Sequence, residues 1–384
     1  MARPVFIDKI PYRHSVFDNY NLNFSNICYW WSPVDSNIFT TLKQKKLFNK
    51  FVTDMISNDA YLVIDESQDP LHIRIIDNMY KKDLYSFFKK YKISWDKLIF
   101  LTPTPNKMFF DSATDNYTID IHPRIVSRPY RHIFYNNLFE YTKGVYLECD
   151  VEKKKTQQAT YHFMCMMYRD AVPRMLINTL FHTNNLTNNL ISHNRFIPKV
   201  DDSDKKKFNL VMSAFSATDG FDFSAFLKYG FLRHKLDSIV DKPRATHSYD
   251  LHTRLSSQCC FEIIMETSVS HNNMFITEKT IKSFLSKNVF IIIGTPHSLT
   301  LLKSLGFRTF SDIIDESYDN EKVFFKRFML AFEEIKKLCS LDVITLKNKI
   351  TCMNEVVEHN YNHFLNTTWD FNLPKKLNKY LDQT

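Results

Sequence analysis

The chain has 384 residues, 44% of them hydrophobic, enough to bury a large core and to form two domains. Its formal charge of +8 permits attraction to phosphates and polyanions without requiring it, because the excess is spread over a large surface. Only five glycines occur, at 144, 220, 230, 294 and 306, so neither a G-x-G-x-x-G dinucleotide fingerprint nor a P-loop can be written. Any bound nucleotide must then be held by side chains and helix starts. The seven cysteines, at 28, 149, 165, 259, 260, 339 and 352, show no Cys-x-x-Cys spacing and read as free thiols in a reducing compartment. No run of about 18 apolar residues occurs, and Met1 to Tyr20 lacks the apolar centre of a secretion signal, which predicts no membrane span and a cytoplasmic location.

In chain order, Asp59 to Asp65 reads as a strand ending in the acidic pair Asp65-Glu66. Lys81 to Tyr91 reads as a helix, Lys97 to Thr102 as a strand, and Gly144 to Cys149 as a further strand. This alternation predicts an α/β domain over residues 1–155, closed by the basic stretch Lys153-Lys154-Lys155. A second domain, 156–345, opens with a strand from Ala159 to Met167, followed by a helix reaching Phe181. Phe208 to Ala214 reads as a strand and the region from there to Ser257 as irregular. A long helix from Glu321 to Cys339 follows, and residues 346–384 are expected to form a helix and tail packing back on the first domain.

The most informative stretch is Phe261 to Ser317. Phe261 to Thr267 is β-prone, Ile276 to Leu285 is helical with Thr277 as N-cap, and Val289 to Ile293 is a β-branched run suited to a strand buried on both faces. Lys279 in the first helical turn is unfavourable, because the helix dipole is positive there. Lys279 and Lys282 make sense if an anion docks at the helix start; alternatively, both snorkel into water.

Ile276-Thr277-Glu278-Lys279-Thr280-Ile281-Lys282, followed by Phe290 to Pro296, resembles the C-terminal half of GT-B glycosyltransferases. The likeness is to the group related to α-1,3-fucosyltransferases and exostosin-type enzymes, which includes phage and giant-virus members. Leu302 to Phe310, continuing to Asp315-Glu316-Ser317-Tyr318-Asp319, resembles that group's LKSLGFKTF…DESYD stretch, and Glu358 to Phe364 resembles its terminal helix. Tyr168 to Arg174 resembles a degenerate N-R-x-x-R-x-H-R element, with Tyr168 and Pro173 departing from it and Arg169 and Arg174 retained. The resemblance spans about residues 160–365 and is strong over 276–319.

It implies an α/β, GT-B-like fold, with two Rossmann-like domains facing a central cleft. It also implies transfer of a sugar from a nucleoside-diphosphate sugar of UDP or GDP type to a hydroxyl acceptor. By resemblance, Glu278 accepts a ribose hydroxyl and Lys279 meets the donor diphosphate, with Thr277, Arg174 and Lys282 completing the donor site. Developing diphosphate charge needs cations, so Arg169 is a catalytic candidate, and Asp65 or Glu66 is the candidate base for the acceptor. As a metal motif, Asp219-Gly220-Phe221-Asp222 has the wrong spacing and Asp201-Asp202 sits in a charged loop, so metal independence is expected, with no cofactor besides the donor. His359 and His363, four residues apart, share a helix face but lack the zincin glutamate; they read as a packed or surface pair. The acceptor is a glycan, a protein or hydroxymethylated phage DNA. The competing reading is a non-catalytic nucleic-acid-binding or virion-associated protein on a degenerate GT-B scaffold.

Overall fold

The structure, a computed structural model, describes residues 5–6, 27–31, 42–43, 46–57, 59–65, 81–102, 131–134, 139, 142–143, 159–167, 172–193, 222–230, 232, 253–267, 269, 275–369, 372 and 375–377. The fold is α/β, built on two parallel sheets with helices. The chain divides into two compact units. The first comprises Met1–Gly144, Asn272–Phe275 and Thr368–Thr384, and the second Val145–His271 and Ile276–Thr367.

The first unit carries β1 (Val5–Phe6), β2 (Ile27–Trp31), β3 (Tyr61–Asp65), β4 (Leu98–Thr102) and β5 (Arg131–Phe134), side by side in sequence order and all parallel. Leu62, Val63, Leu98 and Ile99 are fully buried, as strands covered on both faces require. Helices α1 (Phe48–Ser57) and α2 (Lys81–Tyr91) meet through Phe51 and Phe87, whose rings stack at 5.1 Å. Lys97, just before β4, donates to the Asp59 carboxylate at 2.5 Å and lies 4.3 Å from the Tyr61 ring centroid, which pins the amino ends of β3 and β4 together. From the C-terminal segment, Trp369 packs on Phe139 at 4.8 Å.

The second unit is built on β6 (Tyr161–Met167), β7 (Leu190–His193), β8 (Cys259–Met265) and β9 (Val289–Ile293), in the order β7-β6-β8-β9, again all parallel. Helix α3 (Val172–Thr183) follows β6, and Phe163 joins Phe181 at 4.9 Å and Phe261 at 5.8 Å beneath it. The stretch expected to be irregular holds two helices, α4 (Phe223–Tyr229) and the single turn α5 (Thr253–Ser256). Asp222 starts α4 by accepting from the Ala225 amide, so the acid considered for a metal motif is a helix cap. Then come α6 (Glu278–Leu285), α7 (Ser298–Ser304), α8 (Phe324–Cys339), α9 (Val343–Thr351) and α10 (Asn354–Asn366). The tail expected to be one helical stretch is thus two helices, parted at Cys352-Met353. The expected strands at Gly144 to Cys149 and Phe208 to Ala214, and the Lys153-Lys154-Lys155 boundary, lie outside the described residues.

Candidate functional site

In open parallel sheets, ligands sit outside the carboxyl ends of the strands where the strand order reverses. Among the described strands, the first sheet has no reversal, whereas the second reverses between β6 and β8. That point is flanked by the start of α3, by Glu266 and Thr267 directly after β8, and by the start of α6.

Glu266 organises this edge. It is 3% exposed, and its carboxylate accepts from the Thr277 amide (3.0 Å), the Thr277 hydroxyl (2.6 Å), the Thr280 hydroxyl (2.6 Å) and the Thr267 amide (3.3 Å). Four residues back on the same face of β8, Glu262 accepts from Ser283 and from Asn288. The hydroxyls at 277, 280 and 283 form one stripe of α6 turned toward β8, which fixes the helix's rotation. Ile281, Phe284 and Leu285 supply the buried apolar face, with Phe284 stacked on Phe307 at 4.1 Å.

Thr277 is the N-cap of α6, accepting weakly from the Lys279 amide at 3.3 Å. The Lys279 ammonium folds back onto the Thr267 hydroxyl (3.1 Å), the Thr277 hydroxyl (3.2 Å) and Glu278 (3.2 Å). Its awkward place at the positive end of the helix therefore has an internal answer: the Glu278 carboxylate pairs with it, and the Thr277 hydroxyl it meets is itself held by Glu266. Lys282 falls in the last turn of this eight-residue helix, where a cation suits the dipole. The electrostatic case for an external anion thus narrows to Lys279.

Arg174, the third residue of α3, is 7% exposed. It lies near Cys165 of β6, whose thiol is pushed up to about 12 by burial while the Arg174 charge pulls it the other way. Asp65 is the last residue of β3, at the carboxyl end of the first sheet and in register with Leu101. Glu66 and Arg169 lie outside the described residues. Thr277, Glu278 and Lys279 are therefore brought together at the switch-point edge, and Arg174 stands in the helix that opens on its other side.

Sequence reading missed the residues that build the edge. Gly294, directly after β9, passes so close to Glu266 that an added Cβ would lie 3.4 Å from the Glu266 Cβ. His297 has a left-handed backbone (φ 64°), costly for a non-glycine residue, and its amide donates to the Asp319 carbonyl at 2.7 Å. The Asp319 carboxylate accepts from the Leu299 and Thr300 amides, both at 3.1 Å, and burial raises its pKa above the ordinary value. Among the described residues, Arg327, 4% exposed, donates only to backbone carbonyls, and burial lowers its pKa to about 10, against the pull of Asp319 and Glu321. The available signals were the Thr-x-x-Thr-x-x-Ser spacing in α6 and two acids inside a run of apolar strand residues.

The other resembling segments have structural explanations. At the end of α7, the Phe307 amide donates to the Leu302 carbonyl and the Gly306 amide to the Lys303 carbonyl, both at 3.0 Å, with Gly306 at φ 91°. That is a Schellman turn, which selects glycine. Nε2 of His363 meets the Leu305 carbonyl (2.8 Å), Nε2 of His359 meets the Gly306 carbonyl (3.0 Å), and Asn360 bonds both backbone groups of Arg308. The histidine pair is packed as a cap on α7. Among the described residues, no three His, Cys, Asp or Glu side chains converge as a metal site would need, and no helix is long and apolar enough to cross a membrane. No protein-family model matches the chain, and a search of curated proteins finds no match.

Proposed function

We propose that the chain is a glycosyltransferase of GT-B architecture, moving a sugar from a UDP- or GDP-type donor to a hydroxyl acceptor without a metal. The observation that carries this reading is the Thr277-Glu278-Lys279 element at the start of α6, on the carboxyl edge beside the reversal of strand order. Glu278 offers an acceptor oxygen to a ribose hydroxyl, and Lys279 offers a cation to the diphosphate. A phosphate oxygen entering here replaces one of the three oxygens now around the ammonium. As the glycosidic bond to the diphosphate breaks, charge grows on the leaving oxygens and Lys279, with Arg169 and Arg174, stabilises it. Asp65 or Glu66 takes the proton of the attacking hydroxyl. The acceptor is a glycan, a protein or hydroxymethylated phage DNA.

A second reading draws on the same lysine. Its ammonium is already satisfied within the fold, as expected of a scaffold that binds nucleic acid or a virion surface without catalysis.

Thermal shift against UDP-, GDP- and TDP-sugars separates the two. Stabilisation by one donor, lost in Glu278→Ala and Lys279→Ala, supports the enzyme, and transfer of labelled sugar to hydroxymethylcytosine DNA or a glycan then identifies the acceptor. No donor response, with salt-dependent binding to duplex DNA, overturns it in favour of the binder.

A further inference from the structure

Arg327 is the fourth residue of α8, inside the first turn, where the helix dipole disfavours a cation. It is also 4% exposed, so its charge is stripped of water. An apolar side chain of similar volume would fill the space without that penalty. Its donors go to four carbonyls in three segments. Nε reaches Gly294 O (3.1 Å), Nη2 reaches Val269 O (2.7 Å), and Nη1 reaches Glu321 O (2.7 Å) and Lys322 O (3.2 Å). Gly294 follows β9 and abuts Glu266, and Val269 stands two residues beyond Thr267, whose hydroxyl holds the Lys279 ammonium.

We propose that Arg327 is a positioning residue of the carboxyl edge. Its guanidinium ties the segments leaving β8 and β9 to the start of α8 and so holds Thr267 where it fixes Lys279. A lysine cannot do this, because a compact ammonium does not present donors in the spread, planar fork that these carbonyls require. That the edge receives a nucleoside diphosphate rests on the function proposed above; the clamp does not.

The test is hydrogen exchange on the full chain, comparing wild type, Arg327→Lys, Arg327→Gln and Ala331→Gly. The last weakens α8 one turn further on without touching the four carbonyls. The clamp requires exchange about tenfold faster at the Glu266, Thr267, Thr277 and Lys279 amides in both Arg327 variants. The amides of Phe261–Ile264 and Phe290–Ile292 stay as protected as in wild type, and Ala331→Gly leaves the edge unchanged. Acceleration spread evenly over β8, β9 and α8, an unchanged edge, or failure of both Arg327 variants to fold assigns Arg327 to general stability and overturns the proposal. In parallel, UDP and GDP are titrated against each variant. Weaker binding in Arg327→Lys than in Ala331→Gly agrees with the clamp, and equal weakening opposes it. If wild type binds neither nucleotide, the donor-site reading falls while the exchange pattern still decides the clamp.

Discussion

At the scale of single residues, the strongest constraints here are contacts that tolerate no substitute. An added Cβ at Gly306 would stand 2.6 Å from Nε2 of His363, at a backbone φ of 91°. Gly306→Ala is therefore expected to lower stability by at least about 2 kcal/mol, read from chemical denaturation. Combining it with His363→Ala removes the clash but not the backbone strain, so the double mutant should lose less than the sum of the singles by about 1 kcal/mol. Additive losses would show that the collision is relieved elsewhere. Glu266→Gln replaces one acceptor oxygen with a donor facing groups that already donate, and a loss of roughly 1–3 kcal/mol is expected from leaving buried amides or hydroxyls without a partner. A near-neutral melt would mean that the hydroxyls of Thr277 and Thr280 reorient freely.

At the scale of elements, helix caps set the acid behaviour. Asp315 starts the turn Glu316–Asn320 and Asp342 starts α9, and hydrogen bonds from the following residues hold both below their ordinary 3.8. Their folded pKa values are depressed, so their stabilisation is present above pH 3.8 and is lost as pH falls through the folded values. Asp342→Asn should flatten the decline in melting temperature on acidification below pH 3.8. Asp319 works in the opposite sense. Burial raises its pKa, so its contribution is full below 3.8 and fades as pH rises through the raised value. The advantage of wild type over Asp319→Asn should accordingly shrink from pH 4 toward neutrality; a constant gap would remove Asp319 from the account.

Elements with strong local signals were legible in the sequence. The Lys81–Tyr91 helix, the Thr277 cap and the β-branched Val289–Ile293 strand lie where periodicity and capping rules put them. The Leu190–His193 strand escaped, because four residues with two polar members carry almost no pattern. Helix α4 escaped because its seven residues are short for a periodicity signal.

At the scale of the whole molecule, the formal charge of +8 is the feature on which the two functional readings differ. A protein that binds duplex DNA through many phosphate contacts loses about 10³-fold or more in affinity between roughly 50 and 200 mM salt. A nucleoside diphosphate held by two or three cations loses far less. Paired titrations of UDP or GDP and of duplex DNA across that range should give a shallow slope for the nucleotide. A steep DNA slope with no nucleotide binding would favour the scaffold reading.

The sequence alone determined the Lys81–Tyr91 helix and the Val289–Ile293 strand, that glycine-built phosphate loops are excluded, and that Thr277-Glu278-Lys279 opens a helix. These properties depend on residues within a turn or two of each other. Tertiary structure alone decided that the second sheet runs β7-β6-β8-β9, and so where its switch point falls. It also decided that Glu266 lies beneath α6, and that Arg327 joins carbonyls 33 and 58 residues away in sequence. The reason is physical: periodicity encodes which face of an element is buried, whereas strand order and buried hydrogen bonds depend on which distant segments that face meets.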